Sequence, residues 1–517
     1  MATTYNVPPT LSVLRVLHNV SVGRIIAAIF TILIARFILR GIQRVYFHPL
    51  SKFPGPKLSA FTRIPHLRAR FKGEVHLYLK ELHEKHGEVV RVSPDELSFI
   101  NPNAWKDIYG HGTRGTKGSP PPKDFSRFGR AVNGHYSLIA TPDNGEHYKT
   151  RRMFSPAFSD RALKDQEPLF IKYVDQLVSV LRNKPDSEGK FDMVRMYNFT
   201  TFDVMGDLTF GEPLHMLDNA EYDPWVSIIF KALKLGSRLA LLHHYPILYK
   251  AYKKLVPEKK LKKRYEHFQY CVSRVTKRLE KGRQAEGVDL WSLILDSEDK
   301  GKGLSRGQMD ANASLFMVAG TETTATLVSG FTYFMLKNPT VMKKLQEEIR
   351  GAWSSSEDIN MEVAARLPYL NACIKEAFRK YPPVAIGLPH RTPKDGSTIC
   401  GDFVPPDFTV AAPHLVMYNS PSYFKDPELF VPDRWLGDER YKDDVLSALQ
   451  PFSVGSRDCL GKNMAYHEMR LILTKVFYNF DLELCPESDD WVNQKAYVLW
   501  DKPSLMVKVS PAQNAGT

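Results

Sequence analysis

The chain is 517 residues long, and its 43% hydrophobic and 25% charged residues are ordinary values for a globular protein. These values argue against a disordered, collagenous or polytopic membrane protein. Five cysteines with no CxxC pair argue against a disulfide scaffold and against a structural zinc site. The formal charge of +13 suits nucleic acid, anionic lipid or an acidic protein partner, and it does not choose among them.

The N-terminal region predicts a membrane anchor. An apolar block runs from Ile25 to Leu39 and is interrupted only by Arg36. Because Arg36, Arg40 and Arg44 lie on its C-terminal side, the positive-inside rule places the rest of the chain in the cytosol. The block is about 15 residues long, short of the roughly 20 that span a bilayer. A short or tilted anchor and an amphipathic or buried helix lying on the membrane therefore both remain open.

The body after the anchor predicts a mainly helical fold with small β-sheets. We expect an anchor with its flank over residues 1–46, a proline-rich hinge over 47–57 and a single catalytic domain over 58–517. In chain order, the predicted elements are a helix from Glu74 to His86, a hairpin from Val89 to Ile100, a long loop from Gly110 to Gly134, a mostly helical region from Asn144 to Leu295, a long helical run from Ser305 to Lys337, further helices from Pro339 to Tyr381, short strands between Pro382 and Pro432, a last long helix from Leu460 to Phe480 and a strand from Asp481 to Cys485.

The strongest chemical signal is a cysteine in a glycine-rich loop, Phe452–Gly461, directly before the last predicted helix. The free N–H groups and the dipole of a helix start favour a thiolate at Cys459. Gly455 and Gly461 permit a tight turn and a close approach of the backbone to a flat ligand, and Arg457 could pair with an anionic group on that ligand. The alternative is a buried structural cysteine at a helix start.

Two further segments stand out inside predicted helices. Glu376 and Arg379 have an ExxR spacing that places both side chains on one helix face. The segment from Ala319 to Thr324 brings a glycine and three threonines into the long apolar run, where they are poor helix formers. This local conflict indicates either a functional notch or a notch for helix packing.

In these segments the sequence resembles the cytochrome P-450 superfamily of haem-thiolate monooxygenases. The cysteine loop fits the FxxGxRxCxG pattern of that family at every fixed position. The resemblance implies the cytochrome P-450 fold, with a long central helix over a haem b group. It further implies that Cys459 is the axial thiolate ligand of the iron, that Phe452 packs beside the thiolate and that Arg457 binds a haem propionate.

The same resemblance assigns roles to other residues. Glu322 and Thr323 would supply protons for dioxygen activation, and Gly320 would open a groove for dioxygen. Glu376, Arg379 and Arg434 would form a structural network. Further propionate ligands would be Arg151, with His147 beside it, and either His390 or Arg391. The substrate side would be lined by Phe316, Ala319, Val384, Ile386 and Leu388.

The activity that the resemblance implies is hydroxylation or epoxidation of a lipophilic small molecule in secondary metabolism. Electrons would come from NADPH through a cytochrome P-450 reductase, with a cytochrome b-type protein as a further candidate donor and no nucleic-acid partner. The expected location is the endoplasmic reticulum membrane, with one N-terminal anchor and the catalytic domain in the cytosol. Two alternatives remain: a haem-thiolate isomerase or dehydratase that does not use dioxygen, and a non-enzymatic, basic, membrane-tethered binding protein.

Overall fold

The computed structural model describes residues 22–111, 117–183, 189–222, 226, 245–255, 257–282, 289–291 and 303–512. Helices dominate this part of the chain, as the sequence predicts. In chain order, the helices are α1 (Val22–Tyr46), α2 (Lys57–Phe61), α3 (Ile64–Lys72), α4 (Val75–His86), α5 (Asn144–Phe154), α6 (Asp160–Asn183), α7 (Met193–Phe210), α8 (Met216–Asn219), α9 (Pro246–Leu255), α10 (Glu258–Glu280), α11 (Arg306–Ala319), α12 (Glu322–Lys337), α13 (Pro339–Ala352), α14 (Met361–Arg366), α15 (Pro368–Lys380), α16 (His414–Tyr418) and α17 (Lys462–Asn479).

The strands are short and form four small sheets within the described residues. In chain order, they are β1 (Val89–Ser93), β2 (Glu96–Phe99), β3 (Lys190–Asp192), β4 (His390–Arg391), β5 (Ser397–Ile399), β6 (Asp402–Val404), β7 (Thr409–Ala411), β8 (Phe480–Leu484), β9 (Lys495–Ala496), β10 (Trp500–Asp501) and β11 (Met506–Pro511). The sheet orders are β1-β2-β7-β4, β3-β11-β8, β5-β6 and β9-β10. The predicted hairpin is confirmed, because β1 pairs with β2 in antiparallel register.

Helix α1 is the one helix among the described residues that is long and apolar enough to cross a membrane. Its candidate membrane span, Gly23–Tyr46, has 24 residues. The most apolar part of this span has a mean hydropathy of 2.2, and only 6% of that part is buried. The span extends about 36 Å, which exceeds a hydrocarbon core of about 30 Å. The helix is longer than the apolar block because it continues through Arg40 and Arg44. Length and composition therefore suit an anchor.

The body has two apolar cores. The larger core joins the long helices α6, α7, α11, α12, α15 and α17. The smaller core packs around the four-stranded sheet and helix α4. Helix α4 ends where the sequence predicts, since Gly87 donates its N–H to His83 at 2.9 Å.

The predicted run from Ser305 to Lys337 consists of two helices, α11 and α12, separated at Gly320 and Thr321. The Thr321 hydroxyl donates to the carbonyl of Met317 at 2.6 Å. Such side-chain bonds compete with the helical ladder and bend helices. A Cβ at Gly320 would lie 2.7 Å from the sulfur of Met205 on α7. A side chain at position 320 would thus displace the flexible end of Met205, so Gly320 packs closely against α7, in line with the helix-packing alternative for this segment.

Candidate active site

The loop before α17 is held in a tight turn around Cys459. The Cys459 N–H donates to the carbonyl of Phe452 at 2.9 Å. Gly455 has φ +87°, and a Cβ there would lie 2.2 Å from the carbonyl oxygen of Tyr109. Glycine is thus required at position 455 by both conformation and space. The Phe452 ring packs against Phe378, with ring centroids 5.3 Å apart, so the loop rests on helix α15.

We infer that the side chain of Cys459 faces an internal cleft. It is accessible to solvent, whereas burial raises the pKa of its thiol. These two facts agree if the accessible surface belongs to a cleft inside the protein. The N–H of Gly461 lowers the thiol pKa, as expected at a helix start, but burial has the larger effect. The helix start thus acts on the thiol in the direction that the sequence predicts, against the larger effect of burial.

We assign the break between α11 and α12 to a second wall of this cleft. Ala319 is exposed and Thr323 is half-buried, although both lie on central helices. The Phe158 ring links this wall to the cysteine loop. Its centroid is 5.9 Å from that of Phe316, and a Cβ at Gly461 would lie 3.9 Å from its edge. Phe316, predicted to line the substrate side, is only 7% exposed and packs in this aromatic cluster.

A group of basic side chains lies beside the cysteine loop. We call it the cationic cluster, and it consists of Lys123, His147, Arg151, His390 and Arg457. Burial, reinforced by Arg457, lowers the pKa of Lys123 to about 8. Burial also lowers the pKa of His147 to about 4, with further lowering by Arg457, Arg151 and Lys123. The positive charge at this edge is therefore carried by Lys123, Arg151 and Arg457, while His147 and His390, whose pKa is also lowered by burial to about 4, are neutral at neutral pH.

The two arginines of the cationic cluster hold the loop in place. Arg151 donates to the backbone and side-chain oxygens of Asp458 at 2.7 and 2.5 Å. Arg457 donates to the carbonyl of Thr141 at 2.9 Å and to the side chain of Asn144 at 2.8 Å. Both guanidinium groups therefore bridge α5 or the turn before it to the cysteine loop.

The structure distinguishes between the two basic residues that the sequence left as alternatives. His390 is buried, and Lys123 and Arg457 contribute to its lowered pKa, so it belongs to the cationic cluster. Arg391 pairs instead with Asp407 at 2.5 Å and lies 3.7 Å from Asp124. Neighbouring residues of a strand point to opposite faces, which explains the different environments.

Below the cleft, a buried charge network joins α15 to the segment before the cysteine loop. Glu376, Arg379 and Arg434 have fully buried side chains. Arg379 donates twice to Glu376, at 2.7 and 2.9 Å, and Arg434 donates to the same carboxylate at 3.3 Å. The Trp435 indole and the Val431 N–H complete the set of donors to Glu376. The ExxR pair is therefore a core element here and not a surface ion pair.

Comparison with known proteins agrees with this arrangement. The family model of cytochrome P-450 matches residues 53–509. The cytochrome P-450 monooxygenase efuB of Hormonema carpetanum is 46% identical over 479 residues, which cover 92% of this chain and 94% of efuB. The cytochrome P-450 monooxygenase FUM2 of Gibberella moniliformis is 46% identical over 476 residues, which cover 91% of this chain and 99% of FUM2.

The chain belongs to the cytochrome P-450 family. It is therefore a haem-thiolate oxidoreductase that incorporates oxygen from dioxygen, and NADPH-derived electrons reach such enzymes through a reductase.

The residues at the cleft fit the haem of this cytochrome P-450. Cys459 presents a sulfur ligand to the cleft. The cationic cluster beside it suits the two carboxylates of haem. Asp143 and Asp458 are the acidic residues beside its arginines, and their negative charge does not balance the positive charge of the cluster. Arg151, Arg457, Lys123 and His390 would hold these carboxylates. Lys123 has no signal in the sequence, where it lies in the predicted loop between Gly110 and Gly134.

The predicted substrate residues Val384, Ile386 and Leu388 are half-buried and lie on one segment after α15. Leu388 is fixed by its carbonyl, which accepts a hydrogen bond from Tyr109 at 2.9 Å. Ile386 lines a small cavity beside His66. The family resemblance also predicts that the region from Leu217 to His244 contributes to the pocket; its residues 223–225 and 227–244 lie outside the described residues.

Two acidic residues of the central region, Glu322 and Glu468, are buried, and only Glu322 is predicted from the sequence. Glu322, the predicted proton donor, pairs with Lys502. Glu468 on α17 is 1% exposed and bonds to Thr324, while its Oε1 atom has no partner among the described residues. An acidic residue among the apolar residues of α17 is a signal that could have indicated it.

Replacing Glu468 by glutamine is expected to stabilise the protein at mildly alkaline pH. Burial raises the pKa of Glu468 to about 8. The folded protein thus keeps a proton that the unfolded chain releases near pH 4, so the wild-type stability falls as pH rises between these two values. Glu468→Gln removes this loss, which is on the order of 4 kcal/mol near pH 8.

Urea unfolding of both proteins at mildly acidic and mildly alkaline pH measures the effect. The exposed Glu483→Gln variant is the control and should follow the wild type at each pH. Parallel pH dependences for the wild type and Glu468→Gln would contradict the prediction.

Proposed function

We propose that this cytochrome P-450 hydroxylates or epoxidises a lipophilic small molecule of secondary metabolism. The observation that carries the proposal is the accessible side chain of Cys459 with the cationic cluster beside it. When bound, haem would supply the activation of dioxygen at this cleft. The half-buried apolar side chains of Val384, Ile386 and Leu388 support a lipophilic substrate.

The roles of the protein groups follow from their positions. Cys459 would ligate the iron, and the cationic cluster would bind and orient the haem carboxylates. Thr323, whose hydroxyl donates to Ala319 at 2.7 Å, would pass protons at the cleft wall. Glu322 would renew these protons from the far side of the helix. The buried network around Glu376 would keep α15 and the cysteine loop in register.

The electron donor would be a separate NADPH-dependent reductase with an acidic docking face, and a cytochrome b-type protein is a further candidate. The formal charge of +13 and the exposed Lys462 at the start of α17 support an acidic partner. Helix α1 would anchor the chain in the endoplasmic reticulum membrane, with the proline-rich hinge at 47–57 leading to the catalytic domain in the cytosol. The arginines that follow the apolar block support this orientation.

Isotope labelling tests the proposal. Membranes containing the full chain and an NADPH-cytochrome P-450 reductase are incubated under oxygen-18 with a panel of terpenoids, polyketides and alkaloids. We expect a product that carries one oxygen-18 atom from the gas and that forms only with NADPH and reductase. Conversion without dioxygen would overturn the proposal in favour of an isomerase or dehydratase. Absence of a reduced carbon-monoxide Soret band in folded protein would overturn the haem assignment itself.

A further inference from the structure

A small cavity lies between helices α3 and α4, the four-stranded sheet and the segment that follows α15. Its volume is about 40 Å³, which is room for about three water-sized groups. Ile386, predicted to line the substrate side, is one of its lining residues, and Gly387 and Pro389 of the same segment are two more. The cavity therefore borders the region in which we place the substrate.

Most of the residues that line the cavity are apolar. Val75 and Leu79 of α4, Val92 of β1 and Leu97 of β2 are each at most 7% exposed and lie on its wall. Sites for lipophilic molecules have walls of this kind, with a few polar groups that fix the orientation of the ligand. The wall therefore suits the hydrocarbon part of a ligand.

One basic side chain on this wall is not used by the protein. Arg70 lies on α3 one turn after His66, so both side chains reach the cavity from the same helix face. The half-buried guanidinium group of Arg70 makes no hydrogen bond and no ion pair with the residues that the structure describes. Burial and, to a smaller extent, Arg127 lower its pKa to about 10, against an opposing contribution from Glu96. Arg70 is therefore a cation at neutral pH with its N–H donors available.

The other charged groups on the wall are paired with each other. Arg127 donates to the carboxylate of Glu96 at 3.1 Å, and the Nδ1 atom of His66 is 3.7 Å from the same carboxylate. Burial raises the pKa of Glu96, but Arg127, His66 and Arg70 lower it by more, so Glu96 is ionised at neutral pH. The negative charge of Glu96 is thus taken up at contact distance by Arg127, and Arg70 is left in excess.

The next acidic residue along the wall does not compensate Arg70 either. Asp124 lies behind Arg127, at 3.4 Å from it, and does not line the cavity. One oxygen of Asp124 accepts from the backbone and the hydroxyl of Ser126, at 3.2 and 2.6 Å, and the same side chain is 3.7 Å from Arg391. Its carboxylate is therefore held by its own neighbours.

We propose that this cavity is a subsite for the carboxylate of a lipophilic acid, and that Arg70 is the residue that selects such a ligand. The inference rests on the proposed function, because it gives the proposed lipophilic substrate an acidic end. The planar fork of an arginine matches a carboxylate through two parallel hydrogen bonds. The space of the cavity suits a group of that size, and the apolar wall suits the adjoining hydrocarbon. A neutral analogue leaves the Arg70 charge without a counter-charge, so the site favours the acid.

Equilibrium dialysis of the purified holoprotein measures this preference. The full chain is held in phosphatidylcholine discs, with empty discs as the blank, at a mildly alkaline pH at which the acid is ionised. The probes are dodecanoic acid, 1-dodecanol and methyl dodecanoate, which share a chain length and differ in charge. We expect saturable binding of dodecanoate that is at least about tenfold tighter than that of either neutral probe. Equal affinities of the wild type for the three probes would overturn the proposal.

Two variants of α3 locate the binding site. Arg70→Met should weaken dodecanoate binding by about tenfold or more and change 1-dodecanol binding by less than about twofold. The matched control is Arg68→Met, because Arg68 is exposed and its loss removes the same charge from the same helix. This control should bind all three probes as the wild type does. Unchanged dodecanoate binding in Arg70→Met, or an equal loss in Arg68→Met, would overturn the proposal.

Chemical protection of the wild type does not depend on the folding of any variant. Phenylglyoxal modifies accessible guanidinium groups, and mass spectrometry locates the modified arginines. Dodecanoate should slow the modification of Arg70 and leave that of Arg68 unchanged. Acetate has the carboxylate without the chain, so it should protect Arg70 only at a much higher concentration. Equal protection by acetate, or no protection by dodecanoate, would overturn the proposal.

The subsite and the proposed function fail in different ways. If the wild type incorporates no oxygen-18, the proposed function fails, while dialysis and chemical protection still show whether the cavity holds a lipophilic acid. If oxygen-18 is incorporated but Arg70→Met binds dodecanoate as tightly as the wild type, the subsite is overturned and the proposed function stands.

Discussion

Replacing Cys459 by alanine is expected to abolish the strongly red-shifted Soret band of the reduced, carbon-monoxide-treated protein. The thiolate is the source of that shift, and alanine has no atom that can ligate iron. The substitution removes a side chain that faces the cleft and is not part of the apolar core. The loss should therefore be complete in the spectrum and small in the unfolding midpoint.

The control for this variant is Cys485→Ala. Cys485 directly follows β8, is only 4% exposed and has no proposed role in haem binding. We expect its spectrum to match that of the wild type, with a modest decrease of the unfolding midpoint. A red-shifted band that persists in Cys459→Ala would contradict the assignment of the iron ligand.

Replacing Glu376 by glutamine is expected to cost about 3–5 kcal/mol of folding free energy, which is a large share of the stability of a domain. The variant leaves the fully buried guanidinium group of Arg379 without a carboxylate partner, whereas Arg434 keeps its pair with the buried Asp444. The Glu376 carboxylate also accepts from Val431 and Trp435, and an amide cannot satisfy all of these donors. Little folded, haem-containing protein should accumulate.

The control for Glu376→Gln is Glu362→Gln on the preceding helix α14. Glu362 also pairs with an arginine, Arg366 at 2.6 Å, but the two side chains are 62% and 74% exposed. Solvent screens such a pair, so we expect a change within about 0.5 kcal/mol. Haem content per unit of expressed protein and urea unfolding measure both variants. Equal behaviour of the two variants would show that the buried network does not stabilise the fold.

Local features of the chain were predictable because their physical causes are local. Gly87 ends α4, the hairpin of β1 and β2 turns at Pro94 and Asp95, and Phe480 begins the strand after the last helix within a residue of the prediction. The cysteine loop is equally local, since its geometry depends on Gly455 and on the start of α17. Composition and periodicity over short windows carry this information.

The partners of the site residues were not predictable in the same way. Arg151 and Asp458 are 307 positions apart, and Lys502 and Glu322 are 180 positions apart. Lys123 joins the cationic cluster from a loop that has no helical or strand pattern of its own. Such contacts depend on how distant segments pack, which short-range periodicity does not report.

The sequence by itself determined the family, the cysteine proposed to ligate haem, the ExxR pair and the mainly helical composition. Only the tertiary structure decided that His390 and not Arg391 joins the cationic cluster, that Gly320 is a packing contact with Met205, and that burial outweighs the helix start at Cys459. The physical reason is the same in each case. Motif residues are set by local chain geometry, whereas burial and charge balance are set by atoms that folding brings together from far along the chain.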